Sequence, residues 1–240
     1  PDGEFYVTVE NYNLRLCRST GSDCKMLTQD GTEKTPYAVK HPYPESLLDD
    51  ADFQPQDHLD VDWSADSRYL ITYKLHREGV SKLTLTDSTS SDDFNVNTVS
   101  YYYPQAGDKA LPMAQLVLVD TQAKQASLLD APKVMQTYYG GAIWGHWHEN
   151  AYFYHDRRRG NREYFLRKVI ADEKKVVSLI RETDPEYIDP WVQTFMPLEK
   201  SKRLIWSSQR TGFQHLYLYD AVSGDLINPI TQGDFTVRVI

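Results

Sequence analysis

The sequence has little cysteine, fewer basic than acidic residues and no long apolar run, and the last two shortages each exclude a class of protein. Its 26 Lys and Arg stand against 34 Asp and Glu, which gives a formal net charge of −8 at pH 7. Binding to nucleic-acid phosphates requires clustered cations, so we predict no nucleic-acid partner. No stretch approaches the roughly 18 consecutive apolar residues that a membrane helix needs, and we predict no membrane span.

The two cysteines, Cys17 and Cys24, flank a turn-like stretch of Ser, Thr, Gly and Asp. They would either form a disulfide across a hairpin in an oxidising compartment or remain as two reduced thiols. A single pair does not decide between these states, so the compartment stays open on the residues alone. The chain begins Pro-Asp-Gly, without Met or an apolar leader, and we expect it to be a piece of a longer protein.

Aromatic residues are plentiful, with 17 Tyr, 8 Phe and 5 Trp, and short apolar runs alternate with polar residues at a period of two. The alternation is clearest at residues 69–73 (Tyr-Leu-Ile-Thr-Tyr) and 216–219 (Leu-Tyr-Leu-Tyr). This composition and this period are typical of β-strands. The best helical candidate, residues 45–53, lies among prolines and predicts at most one or two turns on a loop. The sequence therefore predicts an all-β fold.

A repeated unit of about 50 residues is visible along the chain. Residues 13–31 and 215–233 both contain a strand, a tight turn with Gly, an outer strand and a closing Thr-Gln stretch that ends in Gly. Four strands per unit, joined by short turns, describe a β-propeller blade. We predict about four four-stranded antiparallel blades, forming an open portion of a larger ring. Their expected limits are residues 1–31, 59–130, 139–182 and 190–232.

The second predicted blade is longer than the others because of an insertion at residues 74–100, which is rich in Ser, Thr and Asp. An insertion of this length is either a projecting arm with a function or a solvated loop. The connection at residues 32–58 carries four prolines and leaves the same two interpretations open.

Three motifs in this chain resemble the N-terminal propeller domain of the dipeptidyl peptidase IV family, in the prolyl oligopeptidase group of serine peptidases. They are Asp-Trp-Ser-Ala-Asp-Ser at 62–67, Tyr-Pro-Gln-Ala-Gly-Asp at 103–108 and Trp-Val-Gln-Thr-Phe-Met-Pro at 191–197. The resemblance spans nearly the whole chain. It implies an eight-bladed propeller that caps an α/β-hydrolase domain, in a periplasmic or secreted enzyme that removes dipeptides from peptide N-termini after Pro or Ala.

The chain contains no Gly-x-Ser-x-Gly nucleophile elbow, which such a hydrolase domain requires, so no catalytic residue is assigned in it. The resemblance implies that this part admits peptide substrates, binds their amino terminus and contacts the hydrolase domain of the same parent chain. The rival interpretation is a propeller scaffold that binds protein or glycan with no attached peptidase. No cofactor is assigned, and no metal, since His146 and His148 lack a third ligand at metal-site spacing.

Five residues are candidates for substrate binding. A peptide ammonium needs carboxylates at hydrogen-bonding distance, and the family supplies a Glu-Glu pair on a short helical segment before a Trp-Ser turn. The corresponding connection here has no adjacent Glu pair and offers Glu45, Asp49 and Asp50 instead, with a solvated acidic loop as the alternative. Phe195 matches the aromatic residue of the family's substrate pocket, with a core role as the alternative. Trp191 begins the same motif.

The insertion at residues 74–100 falls where the family has an arm that helps to form a homodimer. The resemblance therefore implies a homodimer contact through this arm. Its Ser, Thr and Asp content is more polar than an obligate interface requires, so the solvated loop stays open as the alternative.

Overall fold

The computed structural model describes residues 2–40, 59–88, 96–136, 143–198 and 200–238. Within these ranges β-strands are the only regular secondary structure, which confirms the all-β prediction. No helix there is long and apolar enough to cross a membrane. The chain divides into two compact units, Pro1–Trp144 and Gly145–Ile240. Glu45, Asp49 and Asp50 lie outside the described residues, together with the candidate helical turn.

The first unit begins with a three-stranded antiparallel sheet of order β1-β2-β3. Its strands are β1 (Phe5–Glu10), β2 (Asn13–Arg18) and β3 (Lys25–Met26). A disulfide between Cys17 and Cys24 closes the turn from β2 to β3. The two cysteines are therefore bonded, which the sequence alone left undecided.

The second sheet of the first unit is built around β5 and β8, which pair over their full length. β4 pairs with the other side of β5, while β9 and β10 pair in turn with the far side of β8. The strands are β4 (Asp62–Trp63), β5 (Tyr69–His76), β8 (Met113–Asp120), β9 (Gln125–Leu128) and β10 (Val134–Met135). The Trp-Ser motif forms the turn from β4 to β5, where the Ser64 hydroxyl accepts a hydrogen bond from the Tyr69 amide at 2.9 Å.

Between β5 and β8 the chain forms a separate two-stranded hairpin of β6 (Lys82–Asp87) and β7 (Asn97–Tyr102). Residues 89–95, between these strands, lie outside the described residues. The base of the hairpin is tied to the preceding connection because Glu33 accepts hydrogen bonds from Lys82 at 3.0 Å and from the Tyr102 hydroxyl at 3.3 Å. The hairpin begins inside the insertion predicted at residues 74–100 and ends two residues past it.

The second unit contains two four-stranded antiparallel sheets, of order β11-β12-β13-β14 and β15-β16-β17-β18. The third sheet has β11 (Trp144–His148), β12 (Ala151–Arg157), β13 (Glu163–Ile170) and β14 (Lys175–Thr183). The fourth has β15 (Phe195–Leu198), β16 (Arg203–Ser208), β17 (His215–Asp220) and β18 (Leu226–Pro229). Alternate side chains of a strand share one face, and one face of each sheet contributes to a common core that includes Phe153, Tyr164, Leu166, Leu204 and Trp206.

The repeat seen in the sequence has a structural basis in the closing Thr-Gln stretches. In the first sheet, the Thr28 hydroxyl accepts a hydrogen bond from the Leu14 amide at 2.9 Å. In the fourth sheet, the Thr231 hydroxyl accepts one from the Leu216 amide at 3.0 Å. Each threonine thus satisfies a backbone donor at the start of the second-last strand, one residue before that strand pairs with the outer strand. Short antiparallel sheets that repeat in this way confirm the predicted propeller-blade architecture.

Candidate functional site

Trp191 and Phe195 lie at one edge of the second unit, which we call the upper edge. Strands β12, β14 and β16 end at this edge, and β13, β15 and β17 begin there. Consecutive antiparallel strands place their connections at alternate edges, so the segments that form the upper edge are residues 158–162, 184–194, 209–214 and 230–238. The opposite, lower edge carries the turns that follow β11, β13, β15 and β17.

The connection at residues 184–194 is held to both sheets of the unit by its backbone. The Ile188 amide donates to the Asn161 carbonyl at 2.6 Å, in the turn between β12 and β13. The Tyr187 carbonyl accepts from the Gln209 side chain at 2.6 Å, in the turn that follows β16. The Val192 carbonyl accepts from Gln214 at 2.9 Å. These bonds fix the path of the connection and hence the side chains that it presents.

Two carboxylates of the connection shape its turns. The Asp184 carboxylate accepts hydrogen bonds from the amides of Glu186 at 2.8 Å and Tyr187 at 3.0 Å. The Asp189 carboxylate accepts one from the Trp191 amide at 3.0 Å. Asp side chains commonly stabilise turns in this way. Asp184 and Asp189 therefore stabilise the backbone of the connection. The candidates for binding a substrate ammonium are still Glu45, Asp49 and Asp50, as predicted from the sequence.

Trp191 is 75% exposed on this fixed backbone. The upper edge carries three more exposed aromatic side chains, Tyr187 at 48%, Phe213 at 38% and Phe235 at 49%. Isolated exposed apolar residues are ordinary on protein surfaces, but several at one edge mark a surface that contacts another molecule. Trp and Tyr are also the residues that most often dominate binding energy. The upper edge is therefore the best candidate for a binding surface in this unit.

Phe195, in contrast, is packed and only 7% exposed. Its ring is stacked on His146 with the ring centroids 4.6 Å apart and the planes inclined by 4°. The centroid of the Phe195 ring is also 4.9 Å from that of His155 and 6.0 Å from that of Phe153. Phe195 thus joins the first strands of the two sheets, and its assignment to a substrate pocket stays a prediction.

A partly buried ion pair of Glu182 and Arg210 also lies in the second unit, and the sequence did not reveal it. Glu182, the second-last residue of β14, accepts hydrogen bonds from Trp206 Nε1 at 3.1 Å, from the Ser208 hydroxyl at 3.0 Å and from Arg210. Arg210 also donates to the Tyr219 hydroxyl at 2.6 Å, and burial raises the pKa of that tyrosine. The donors come from β16 and the turn that follows it, 24 to 28 residues along the chain from Glu182, so no local sequence pattern indicated this network.

The histidines of the third sheet stabilise packing. Burial lowers the pKa of His155 to about 3, so this side chain is neutral at physiological pH. Its Nδ1 is buried and has no hydrogen-bond partner among the described residues. His146 is occupied in stacking on Phe195. Within the described part of the chain, no group of three His, Cys, Asp or Glu residues is arranged to hold a metal ion.

Comparison with known proteins identifies what the chain resembles. Residues 1–240 match the family model described as "Dipeptidyl peptidase IV (DPP IV) N-terminal region". A crystal structure of Porphyromonas gingivalis dipeptidyl peptidase 4 is 18% identical with a TM-score of 0.71, and the match covers 99% of this chain and 32% of that one. A putative dipeptidyl aminopeptidase IV from Bacteroides ovatus is 17% identical with a TM-score of 0.57, covering 93% of this chain and 30% of that one. The chain thus spans about a third of the length of both structures, and the predicted family is confirmed.

Proposed function

This chain belongs to the family of dipeptidyl peptidase IV N-terminal regions, and from that premise we propose that it is the noncatalytic propeller portion of a serine-type dipeptidyl peptidase. The upper edge of the second unit controls access of peptide substrates and contacts their N-terminal residues. Cleavage after Pro or Ala is carried out by a hydrolase domain of the same parent protein. The coverage of about a third of two related structures supports this, since it leaves ample length for such a domain.

The observation that carries the proposal is the exposed Trp191 on a connection whose backbone is bonded to the third sheet through Asn161 and to the fourth through Gln209. An aromatic side chain on a rigid backbone binds a ligand with little loss of conformational entropy. In the complete eight-bladed ring, Trp191 and Phe195 contact the side chains of the first substrate residues. The carboxylates of Glu45, Asp49 and Asp50 hold the substrate ammonium.

We place the parent protein in the periplasm or outside the cell. The Cys17–Cys24 disulfide supports this location, because structural disulfides persist in oxidising compartments and are rare in the cytosol.

The hairpin of β6 and β7 is proposed to form a homodimer contact. Its paired strands present half-buried apolar side chains on one face, at Leu83, Leu85 and Val99, and exposed Thr and Ser side chains on the other. An isolated two-stranded hairpin is at best marginally stable in water. Covering the apolar face with a second copy of the chain would stabilise both hairpins.

The experiment that tests the function compares the full-length parent with the 240-residue chain on a chromogenic Xaa-Pro substrate, with a free and with an acetylated amino terminus. We expect cleavage by the parent only, and only of the free form. If the parent cleaves both forms, it is a peptidase, but the proposal that it binds the free amino terminus is wrong. If neither protein cleaves, the scaffold interpretation replaces the peptidase, and cleavage by the 240 residues alone would contradict the noncatalytic assignment.

A further inference from the structure

The lower edge of the second unit contains a cavity of about 380 Å³, which we call the lower-edge pocket. Apolar side chains from both sheets line it, among them Phe153, Ile170 and Leu198. A volume of this size falls in the range of small-molecule sites. Trp191 and Phe195 lie at the other end of the strands, so the proposed function does not use this pocket.

Half of the polar residues that line the lower-edge pocket are Lys or Arg. Four cations line it, Lys168, Lys200, Lys202 and Arg203, and Glu149 supplies the one carboxylate among the described lining residues. This local excess of positive charge occurs in a chain whose net charge is −8. Among the described residues, none of the four cations forms an ion pair with a carboxylate. The pocket therefore has positive charge that is not neutralised by direct contact within the described part of the chain.

Lys168 is the half-buried member of this group. Among the described residues its ammonium donates one hydrogen bond, to the Ala221 carbonyl at 3.2 Å, and it lies 5.4 Å from the centre of the Phe153 ring. An ammonium has three donors, so two are available to a ligand. Burial lowers the pKa of Lys168, against the weaker opposing influence of Glu149 and Asp220. An anion in the pocket would offset the cost of burying this charge.

We propose that the lower-edge pocket binds a small organic anion. Lys168 and Lys202 hold its oxyanion head, of phosphate or carboxylate type, and its apolar body lies against Phe153 and Leu198. Charge-assisted hydrogen bonds from lysine provide strength, and the apolar lining selects against a bare inorganic ion because only an organic ligand buries surface on it.

The test is a titration of the 240-residue chain at low ionic strength with phenyl phosphate, benzoate, inorganic phosphate and neutral benzyl alcohol, followed by calorimetry or NMR. We expect saturable binding of at least one aromatic anion, at least about fivefold tighter than phosphate, and none of benzyl alcohol. Whichever of phenyl phosphate and benzoate binds more tightly shows whether the pocket prefers a phosphate or a carboxylate head group. Added salt weakens the binding, since part of the attraction is between exposed charges.

Variants locate the binding. Lys168→Gln should weaken it about tenfold, as expected for the loss of a charge-assisted hydrogen bond. Lys202→Gln removes an exposed charge and tests the site should Lys168→Gln fail to fold. The matched control is Lys175→Gln, an exposed lysine at the start of β14 that does not line the pocket. The proposal would be overturned if no aromatic anion showed saturable binding, or if phosphate and the aromatic anions bound with equal affinity. It would also be overturned if Lys175→Gln weakened binding as much as the pocket variants do.

Discussion

At the scale of single residues, the upper edge carries two kinds of side chain. Asp184, Asp189 and Glu182 use their carboxylates within the protein, on backbone amides or on Arg210. Trp191 presents most of its surface to solvent. The first kind determines where the connection lies, and the second is exposed on it. The sequence motif identified Trp191, whereas the internal partners of Glu182 are too far apart in sequence to be predicted.

Trp191→Ala in the full-length parent should raise KM for a Xaa-Pro substrate by about fivefold and leave kcat within about twofold, because an exposed aromatic contact contributes mainly to binding. Steady-state kinetics measures both constants. Tyr6→Ala, which removes a partly exposed aromatic residue of the first sheet, serves as the control. A fall in kcat with unchanged KM would contradict the proposed role of Trp191.

Glu182→Gln should lower the free energy of unfolding by about 2 kcal/mol, because it leaves the half-buried Arg210 without its counter-ion. Urea denaturation of the 240-residue chain measures the change. The matched control is Glu163→Gln, which breaks a surface pair with Arg181 at 2.7 Å and should cost less than about 1 kcal/mol. If both variants lose the same free energy of unfolding, the network around Glu182 stabilises the protein no more than a surface ion pair does.

His155 should make the protein less stable in acid. Its folded pKa of about 3 lies below the ordinary value of 6.5, so the unfolded chain takes up the proton first. The stability from this group is complete above pH 6.5 and falls as the pH drops toward 3, by up to about 1.4 kcal/mol per pH unit. His155→Phe should flatten the dependence of unfolding free energy on pH over this range. An unchanged slope in the variant would mean that other groups cause the acid sensitivity.

At the scale of elements, alternation of apolar and polar residues was sufficient to predict strands but not their partners. Residues 69–73 and 216–219 fall within β5 and β17, as the pattern indicated. The outer edge of the second sheet is divided into β9 and β10, because the intervening Asp-Ala-Pro stretch includes Pro132, which has no amide hydrogen to continue the ladder. The pairing of β10 with the start of β8 could not be predicted from a two-residue strand. The blade and insertion limits stay predictions.

Leu85→Lys in the full-length parent should convert the expected dimer to monomer, because a charge on the apolar face of the β6–β7 hairpin would be buried at the contact. Sedimentation velocity measures the mass. Thr84→Lys places the same charge on the opposite, exposed face and should leave the dimer intact. A dimer that persists in Leu85→Lys, or dissociates equally in Thr84→Lys, would remove this hairpin face from the interface.

At the scale of the whole molecule, the motifs that identified the family lie mainly in connections. Residues 62–67 include the turn between β4 and β5, residues 103–108 follow β7, and residues 191–197 lead into β15. In a repeat protein, strands of different sheets satisfy nearly the same requirements, whereas each connection has its own contacts. Connections therefore distinguish one family from another, and this is why short motifs predicted the family while strand patterns predicted only the fold class.

The hairpin between β5 and β8 also affects how the first unit folds. In the third and fourth sheets each strand pairs with its neighbour in sequence, but β5 must find β8 across residues 77–112. Closing a longer loop costs more entropy before any contact compensates for it. A hairpin forms within about 1–10 μs, and once β6 and β7 have paired, the remaining loop is much shorter. Pairing of the inserted hairpin therefore lowers the entropy cost of bringing β5 and β8 together.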